Sequence, residues 1–514
     1  MTHIERIEST GARQAVSAYS SFFNSSLDHH LSESLSADPV KTALSLFRNV
    51  ATTVPAYQQF LSENNLSPES VQTFDQFQAL PLITKDNYIK RYPLKDRCRD
   101  KGLKRCDMVA ASSGSTGSPT LWPRSFTDEL QVATRFEQIF YDSFEADKKS
   151  TLAVVCFALG NWVGGMYTTN CCRYLAQKGY SITTVTPGNN KAEILRIVRA
   201  LGKEYEQTVL LGYPPFLKDV IDTGIAEGMQ WLQYQVKLVM AGEVFSEEWR
   251  NLVCDRLGAQ HPHRDSASLY GTADAGVLGN ETPLSIQIRR FLSATPKAAR
   301  NLFGESRLPT LVQYDPTSRF FETEDKQLIF SGDGGVPLLR YNIRDTGGII
   351  AYPQMLEFLS SYGYDPTTEF ESYDNPEVKR GLRPFPFVYV FGRSDFTVSY
   401  FGANIYPENV TVGLEQPEIQ GWVTGKFVMQ VIEDADKNRF LSIVVELAPG
   451  ESKSKEREEQ ITESVLVQLL RLNSEFASYV PSTYQRPCVT LVETGNSEYF
   501  PAGVKHRYTR RAQQ

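Results

Sequence analysis

The sequence predicts a two-domain α/β protein: a large N-terminal domain of α/β sheets with a β-rich subdomain, then a small, mobile α+β domain at the C-terminus. Three observations predict it. The length of 514 residues exceeds what one hydrophobic core usually organises. Strand-like and helix-like stretches alternate from 151 to 243, the pattern of a largely parallel sheet with helices on its faces. Past residue 300 the pattern turns to shorter β-like pieces, and from about 394 to a compact mixture of strands and one helix. The large domain is therefore expected at 1–393 and the small one at 394–514.

The alternating stretch opens with the apolar run 151–157, followed by Gly160, Gly164, Gly165 and a segment of helical character. A strand at 181–186 stops at Pro187-Gly188. After it, Ile194, Ile197, Val198 and Leu201 fall at i, i+3, i+4 and i+7, the apolar stripe of an amphipathic helix. Strands at 208–211 and 236–240 follow, the second closing on Ala241-Gly242-Glu243. Pieces such as 327–330 and 348–350 are separated by Asp/Gly turns and read as a β-rich appendage. Residues 365–386 are polar and carry four prolines, so a surface excursion is expected there. In the small domain, strands at 426–432 and 440–447 precede a helix in which Ile461, Val465, Leu469 and Leu472 share one face.

Composition excludes several function classes. The formal net charge of -7 with scattered Lys and Arg gives no broad basic field, so nucleic acid is not an expected partner. No stretch approaches the ~18 uninterrupted apolar residues of a membrane span. The first residues include acidic ones and lack an apolar core, which argues against a secretory or transit peptide and for a cytoplasmic location. Seven cysteines without a C-x-x-C pair suit reduced, mostly buried thiols. Cys171 with Cys172 and His261 with His263 are too sparse for a zinc site.

The most informative segment is Ala111-Ser-Ser-Gly-Ser-Thr-Gly-Ser-Pro-Thr120, built almost wholly of Ser, Thr and Gly after the apolar run 108–111. Glycines let backbone N–H groups converge on a polyphosphate, and short hydroxyl side chains add donors, so the loop can cradle an anion. A flexible Ser/Gly linker has the same composition. A Walker loop is excluded because no Gly-Lys-Ser/Thr follows at the required spacing.

The order S-S-G-S-T-G-x-P-T resembles the phosphate-binding signature of adenylate-forming enzymes, in the form carried by the phenylacetate–CoA ligase branch and its AMP-transferring relatives. The resemblance continues in register along most of the chain. Leu80-Pro-Leu-Ile-Thr-Lys85 is similar to the family's approach segment. Gly242 and Glu243 fall where the family passes adenine along the backbone, and Tyr270-Gly271-Thr272-Ala273-Asp274 resembles Y-G-x-T/S-E. Two departures occur in that motif: Ala273 lacks the usual hydroxyl, and Asp274 is one methylene shorter than glutamate. Pro337 to Asp345 resembles P-x-I-R-Y-x-T-R-D, and Arg340 and Arg344 read on their own as a surface ion-pair cluster. Gly392-Arg393-Ser394-Asp395 looks like the hinge motif, and Gly503-Val504-Lys505 like the segment of the catalytic lysine.

The resemblance implies the adenylate-forming fold and a two-step reaction on a carboxylic acid, with ATP, Mg²⁺ and coenzyme A as small-molecule partners. Ser112, Ser113, Gly114, Ser115, Thr116 and Gly117 would grip phosphates; Gly242, Glu243, Tyr270 and Gly271 would border adenine. Asp345 and Arg393 would meet ribose or phosphate, Asp274 would hold Mg²⁺, Asp395 would be the hinge, and Lys505 with Asp274 would be catalytic. The acyl pocket is expected to draw on Phe157, Trp162, Gly164, Tyr213 and Phe216, whose flat apolar side chains suit an aromatic acid. Many relatives carry a lysine six residues after the hinge arginine, and here that position is Ser399. Left open are a non-thiol acyl acceptor such as an amine, AMP transfer to a hydroxyl, a non-catalytic nucleotide-binding homologue, and homodimer formation.

Overall fold

The structure, a computed structural model, describes residues 10–103, 106–112, 120–304, 308–370, 380–393, 397–448, 450–500 and 508–509. An antiparallel hairpin of β1 (Met108–Ser112) and β2 (Thr120–Arg124) precedes helix α1 (Phe126–Asp142). Then come β3 (Thr151–Val155), α2 (Val163–Lys178), β4 (Ile182–Val185), α3 (Lys191–Leu201), β5 (Gln207–Gly212), α4 (Pro214–Ala226), β6 (Val236–Ala241), α5 (Glu247–Leu257) and β7 (Ser266–Thr272). Strands β3 to β7 pair in parallel, as alternation with helices requires. The inner strands β3 and β5 are wholly buried and β6 and β7 mostly so, which fits a sheet covered on both faces, while β4 at its edge is mostly not buried.

The β-rich part departs from the expected appendage. It is β8 (Gly276–Asn280), helix α6 (Pro283–Ala294), β9 (Thr310–Gln313), β10 (Arg319–Glu324), β11 (Gln327–Gly332), β12 (Leu338–Ile350) and β13 (Phe387–Arg393). These strands continue the parallel half as one eleven-stranded sheet among the described residues, in the order β10-β11-β12-β13-β9-β8-β7-β6-β5-β3-β4. The tight turn after Thr272 folds β8 back antiparallel on β7, so the open edge of β7 is capped by its own continuation. The expected short piece at 348–350 is the end of the thirteen-residue strand β12. Two arginines on that strand, Arg340 (φ 47°) and Arg344 (φ 63°), adopt left-handed backbone, and its pairing with β11 shifts register, so local bulges re-aim its side chains.

Toward the C-terminus, β14 (Val398–Tyr400) and β15 (Ala403–Ile405) form a hairpin. A separate three-stranded sheet contains β16 (Val423–Glu433), β17 (Arg439–Leu447) and β18 (Cys488–Val492), with α7 (Lys455–Leu472) and α8 (Ser474–Tyr479) between the last two. Ile461, Val465 and Leu469 of α7 are fully buried, at the helical spacing read from sequence. No helix among the described residues is long and apolar enough to cross a membrane.

Candidate active site

A cavity of about 1810 Å³ opens between the C-terminal ends of the parallel strands and the C-terminal unit. This is where open α/β sheets usually take ligands. Ser112, at the end of β1, lines it, and its Oγ accepts a hydrogen bond from Trp122 Nε1 at 3.1 Å across the hairpin. Ser113, Gly114, Ser115, Thr116 and Gly117 lie outside the described residues. The hairpin that carries them is fixed by Arg124, whose guanidinium donates to the carbonyls of Ala273 and Asp274 (3.0 Å to the latter). The β1–β2 hairpin and the 273–274 backbone are thus one assembly.

Two tyrosine–aspartate hydrogen bonds define the cavity floor. Tyr270 Oη donates to Asp345 Oδ2 at 2.6 Å, and Tyr341 Oη donates to Asp274 Oδ2 at 2.6 Å. Tyr270, Gly271, Asp274 and Asp345 all line the cavity. The bonds cross-link two segments about seventy residues apart and aim both carboxylates. The missing hydroxyl at Ala273 is offset locally, because Thr272 Oγ1 accepts from Ala275 N at 3.2 Å and caps the turn itself. Asp274 offers a hard oxygen donor, and Mg²⁺ typically takes one or two carboxylates with the remaining positions filled by phosphate and water. Among the described residues no cluster of three or more His, Cys, Asp or Glu side chains is placed to hold a metal, so Asp274 fits an ion that arrives with a phosphate ligand and would not fit a self-contained metal site.

Arg340 and Arg344 part company. Arg344 is exposed and pairs with Asp86 at 2.7 Å, as a surface ion pair would. Arg340 is buried, against the surface reading: it pairs with Glu322 at 3.2 Å and donates to the Leu80 carbonyl. Backbone bonds from Ile83 N to Arg340 O and from Asn342 N to Ile83 O lay the 80–85 segment along β12 and bring Lys85 to the cavity. The bulge at Arg340 aims it inward.

Gly242 and Glu243 also line the cavity, but the Glu243 side chain is committed elsewhere. Its Oε1 accepts from Gly402 N at 2.7 Å and its Oε2 pairs with Arg439, both in the C-terminal unit. Burial pushes the Glu243 carboxyl up, and Arg439 and the Gly402 N–H pull it back. Only the backbone of this segment is therefore left facing the cavity. Gly242 (φ +87°) and Gly402 (φ +83°) close on the Tyr213 ring, where a Cβ would stand 2.9 Å and 2.2 Å from its atoms.

The expected acyl-pocket residues divide. Phe157, Gly164 and Tyr213 line the cavity, with the Phe157 and Tyr213 rings 4.9 Å apart. Trp162 and Phe216 are not among the lining residues. The Trp162 indole packs on Tyr479 at 5.0 Å, and Phe216 is buried in the first turn of α4, because the Pro214-Pro215 helix start turns it into the core. Asp395 and Lys505 lie outside the described residues, as does the Arg393 side chain. The Arg393 backbone pairs with Asp345 in the β12–β13 ladder, so the Gly392-Arg393 segment abuts Asp345. Ser399 lines the cavity and donates to Asn404 Oδ1 at 3.3 Å.

Sequence reasoning missed Arg124, Tyr341, Arg439 and Tyr479. Tyr341 sits inside the Arg340-Tyr-Asn-Ile-Arg344 motif, which was the available signal. The others act across 149 to 317 residues of chain, as in the 196-residue separation of Arg439 and Glu243, and carry no local pattern. Asp345→Ala is expected to weaken ATP binding by about 1.5–3 kcal/mol for each charge-assisted hydrogen bond lost, measured by calorimetry. Unchanged affinity with an unchanged melting temperature would remove Asp345 from the nucleotide site.

No protein-family model matches the chain, and no curated protein sequence matches it. Solved structures do. The chain is similar to 2-hydroxyisobutyryl-CoA ligase in complex with 2-HIB-AMP and CoA in the thioesterification state, with a TM-score of 0.57 at 14% identity, covering 92% of this chain and 88% of that one. An open conformation of the same ligase with 2-HIB-AMP and CoA gives a TM-score of 0.51 at 14% identity, over 92% and 90% of the two chains. The chain has the adenylate-forming enzyme fold.

Proposed function

We propose that this chain activates a carboxylic acid with ATP as an acyl-AMP and then passes the acyl group to a thiol, with coenzyme A the favoured acceptor. The observation that carries the reading is the pair of tyrosine-aimed carboxylates, Asp345 and Asp274, on one cavity floor beneath the phosphate-loop stem. An ionised aspartate accepts hydrogen bonds from two neighbouring hydroxyls, which suits Asp345 to a ribose. The Tyr270 ring and the 241–243 backbone border the same space and suit a purine. The 2-hydroxyisobutyryl-CoA ligase with this fold carries both an acyl-AMP and CoA, which supports the thiol acceptor.

In the first step a carboxylate oxygen attacks the α-phosphorus of ATP, a phosphorus–oxygen bond forms, and the bond to pyrophosphate breaks. Both partners are anionic, so the chain must supply positive charge and fixed geometry. Lys505 is assigned the charge, the 112–117 loop the grip on the phosphates, and Asp274 the Mg²⁺. When bound with ATP, Mg²⁺ lowers the charge on the phosphate oxygens. In the second step the thiol sulfur attacks the acyl carbon, loses its proton, and AMP leaves as the anion. The small domain would turn about Asp395 between the steps, withdrawing Lys505.

Acid-dependent exchange of labelled pyrophosphate into ATP tests the first step, and product analysis with CoA, amines and water tests the second. Exchange is expected with at least one acid of an aromatic, aliphatic and amino-acid panel. Folded protein that exchanges with none would leave a nucleotide-binding protein without this chemistry.

A further inference from the structure

Val163, Gly164, Tyr167 and Thr168 of α2 line the cavity at positions i, i+1, i+4 and i+5, one face of one helix. Phe136 of α1 and Phe157 complete an aromatic wall, and a Cβ at Gly164 would stand 3.4 Å from Phe157 and 3.5 Å from Tyr213 Oη. This glycine opens the space between the two rings. Into that apolar setting the helix places two hydroxyls. Tyr167 and Thr168 are 3% and 2% exposed, and among the described residues neither hydroxyl has a hydrogen-bond partner. Neither is sealed in the packing, unlike the unpaired Tyr88 hydroxyl. A helical threonine ordinarily answers its own backbone, as the adjacent Thr169 does with the Gly165 carbonyl at 2.8 Å. Buried polar groups left without partners are costly, and such groups on a cavity wall are commonly reserved for a ligand.

We propose that Tyr167 and Thr168 read a neutral hydrogen-bonding substituent on the acid, so that the substrate is an aromatic carboxylic acid bearing a ring hydroxyl or amino group. The proposal rests on the adenylation reading above. The aromatic part follows from Phe136, Phe157 and the Gly164 gap. The neutral part follows from charge: no lysine or arginine of α1 or α2 lines the cavity, and the nearby acids are already engaged. Glu129 accepts from Asn170 at 3.0 Å and Tyr174 at 2.5 Å, and Asp128 accepts from Ser125 N and Gly335 N. The Tyr167 ring is held in place by the Arg124 guanidinium, 6.0 Å from its centroid. A phenol can donate to one of these hydroxyls and accept from the other.

The test compares acid-dependent pyrophosphate exchange for matched pairs, benzoate against 3- and 4-hydroxybenzoate and phenylacetate against its hydroxy forms, in the wild type, Tyr167→Phe and Thr168→Val. A site built to hydrogen-bond a substituent rejects the analogue lacking it far more strongly than an apolar pocket rejects an extra group. The hydroxylated member of at least one pair is expected to have kcat/KM roughly tenfold or more above its partner. Each substitution is expected to shrink that ratio while leaving the melting temperature unchanged or higher. Equal exchange within every pair, or a preference that survives both substitutions, overturns the assignment and leaves adenylation standing. Exchange with no acid overturns adenylation and this assignment with it.

Discussion

Lys505→Ala is expected to slow acyl-AMP formation by roughly 10²–10³-fold, the usual effect of deleting one group that stabilises transition-state charge. A carboxylate and a triphosphate repel, and a compact ammonium on a flexible stem is well suited to sit between them during the attack and leave afterwards. The loss should be confined to the first step. Supplying synthetic acyl-AMP with the thiol bypasses that step, and the variant should then form product at close to the wild-type rate. Normal adenylation by the variant, or failure with supplied acyl-AMP as well, would take the lysine out of this role.

Arg439→Ala is expected to release the C-terminal unit from the cavity rim. The Glu243 side chain is 1% exposed and Arg439 is its charge partner. Removing one member of a buried pair leaves an uncompensated charge and costs about 3–5 kcal/mol, and here that cost falls on the docked arrangement because undocking hydrates Glu243. A second charged link lies nearby: the buried Lys218 meets Asp222 at 2.6 Å, Asp436 at 3.3 Å and Asn438 at 2.8 Å, and Arg256 pairs with Asp222 and Asp436 as well. Small-angle scattering should show a larger radius of gyration in Arg439→Ala, and Glu243→Gln in the same chain should restore part of the compactness. A radius unchanged by Arg439→Ala would mean that the Lys218 and Arg256 links to Asp436 and the packing of Tyr479 on Trp162 and Tyr213 suffice to dock the unit.

Much of the parallel half was legible in the sequence, because β3, β5 and β6 hold apolar runs and the helix after β4 shows its own stripe: Ile194, Ile197 and Val198 are all buried or nearly so where the spacing puts them. The merger of the β-rich strands into the same sheet was not legible. It depends on β9 pairing with both β8 and β13, and such pairing between segments far apart in the chain carries no local composition signal. In the site, the motif residues Tyr270, Asp274 and Asp345 line one cavity. Glu243 was legible as a position and not as a partner, since what engages its carboxylate arrives from a hairpin 196 residues away. Trp162 and Phe216 failed as cavity residues because aromatic character alone does not tell a wall from a core, and the proline pair ahead of Phe216 sets its direction.

The close approach of Gly242 and Gly402 to one edge of the Tyr213 ring has a mechanical consequence. Neither glycine carries a side chain that could stretch, swing or trade one partner for another as the unit moves. Backbone against a flat ring behaves as a detent: contact is nearly complete at one position, and a shift of an ångström or two forfeits most of it. Travel of the small unit should therefore be abrupt, with relaxation kinetics of a single exponential and no populated halfway position.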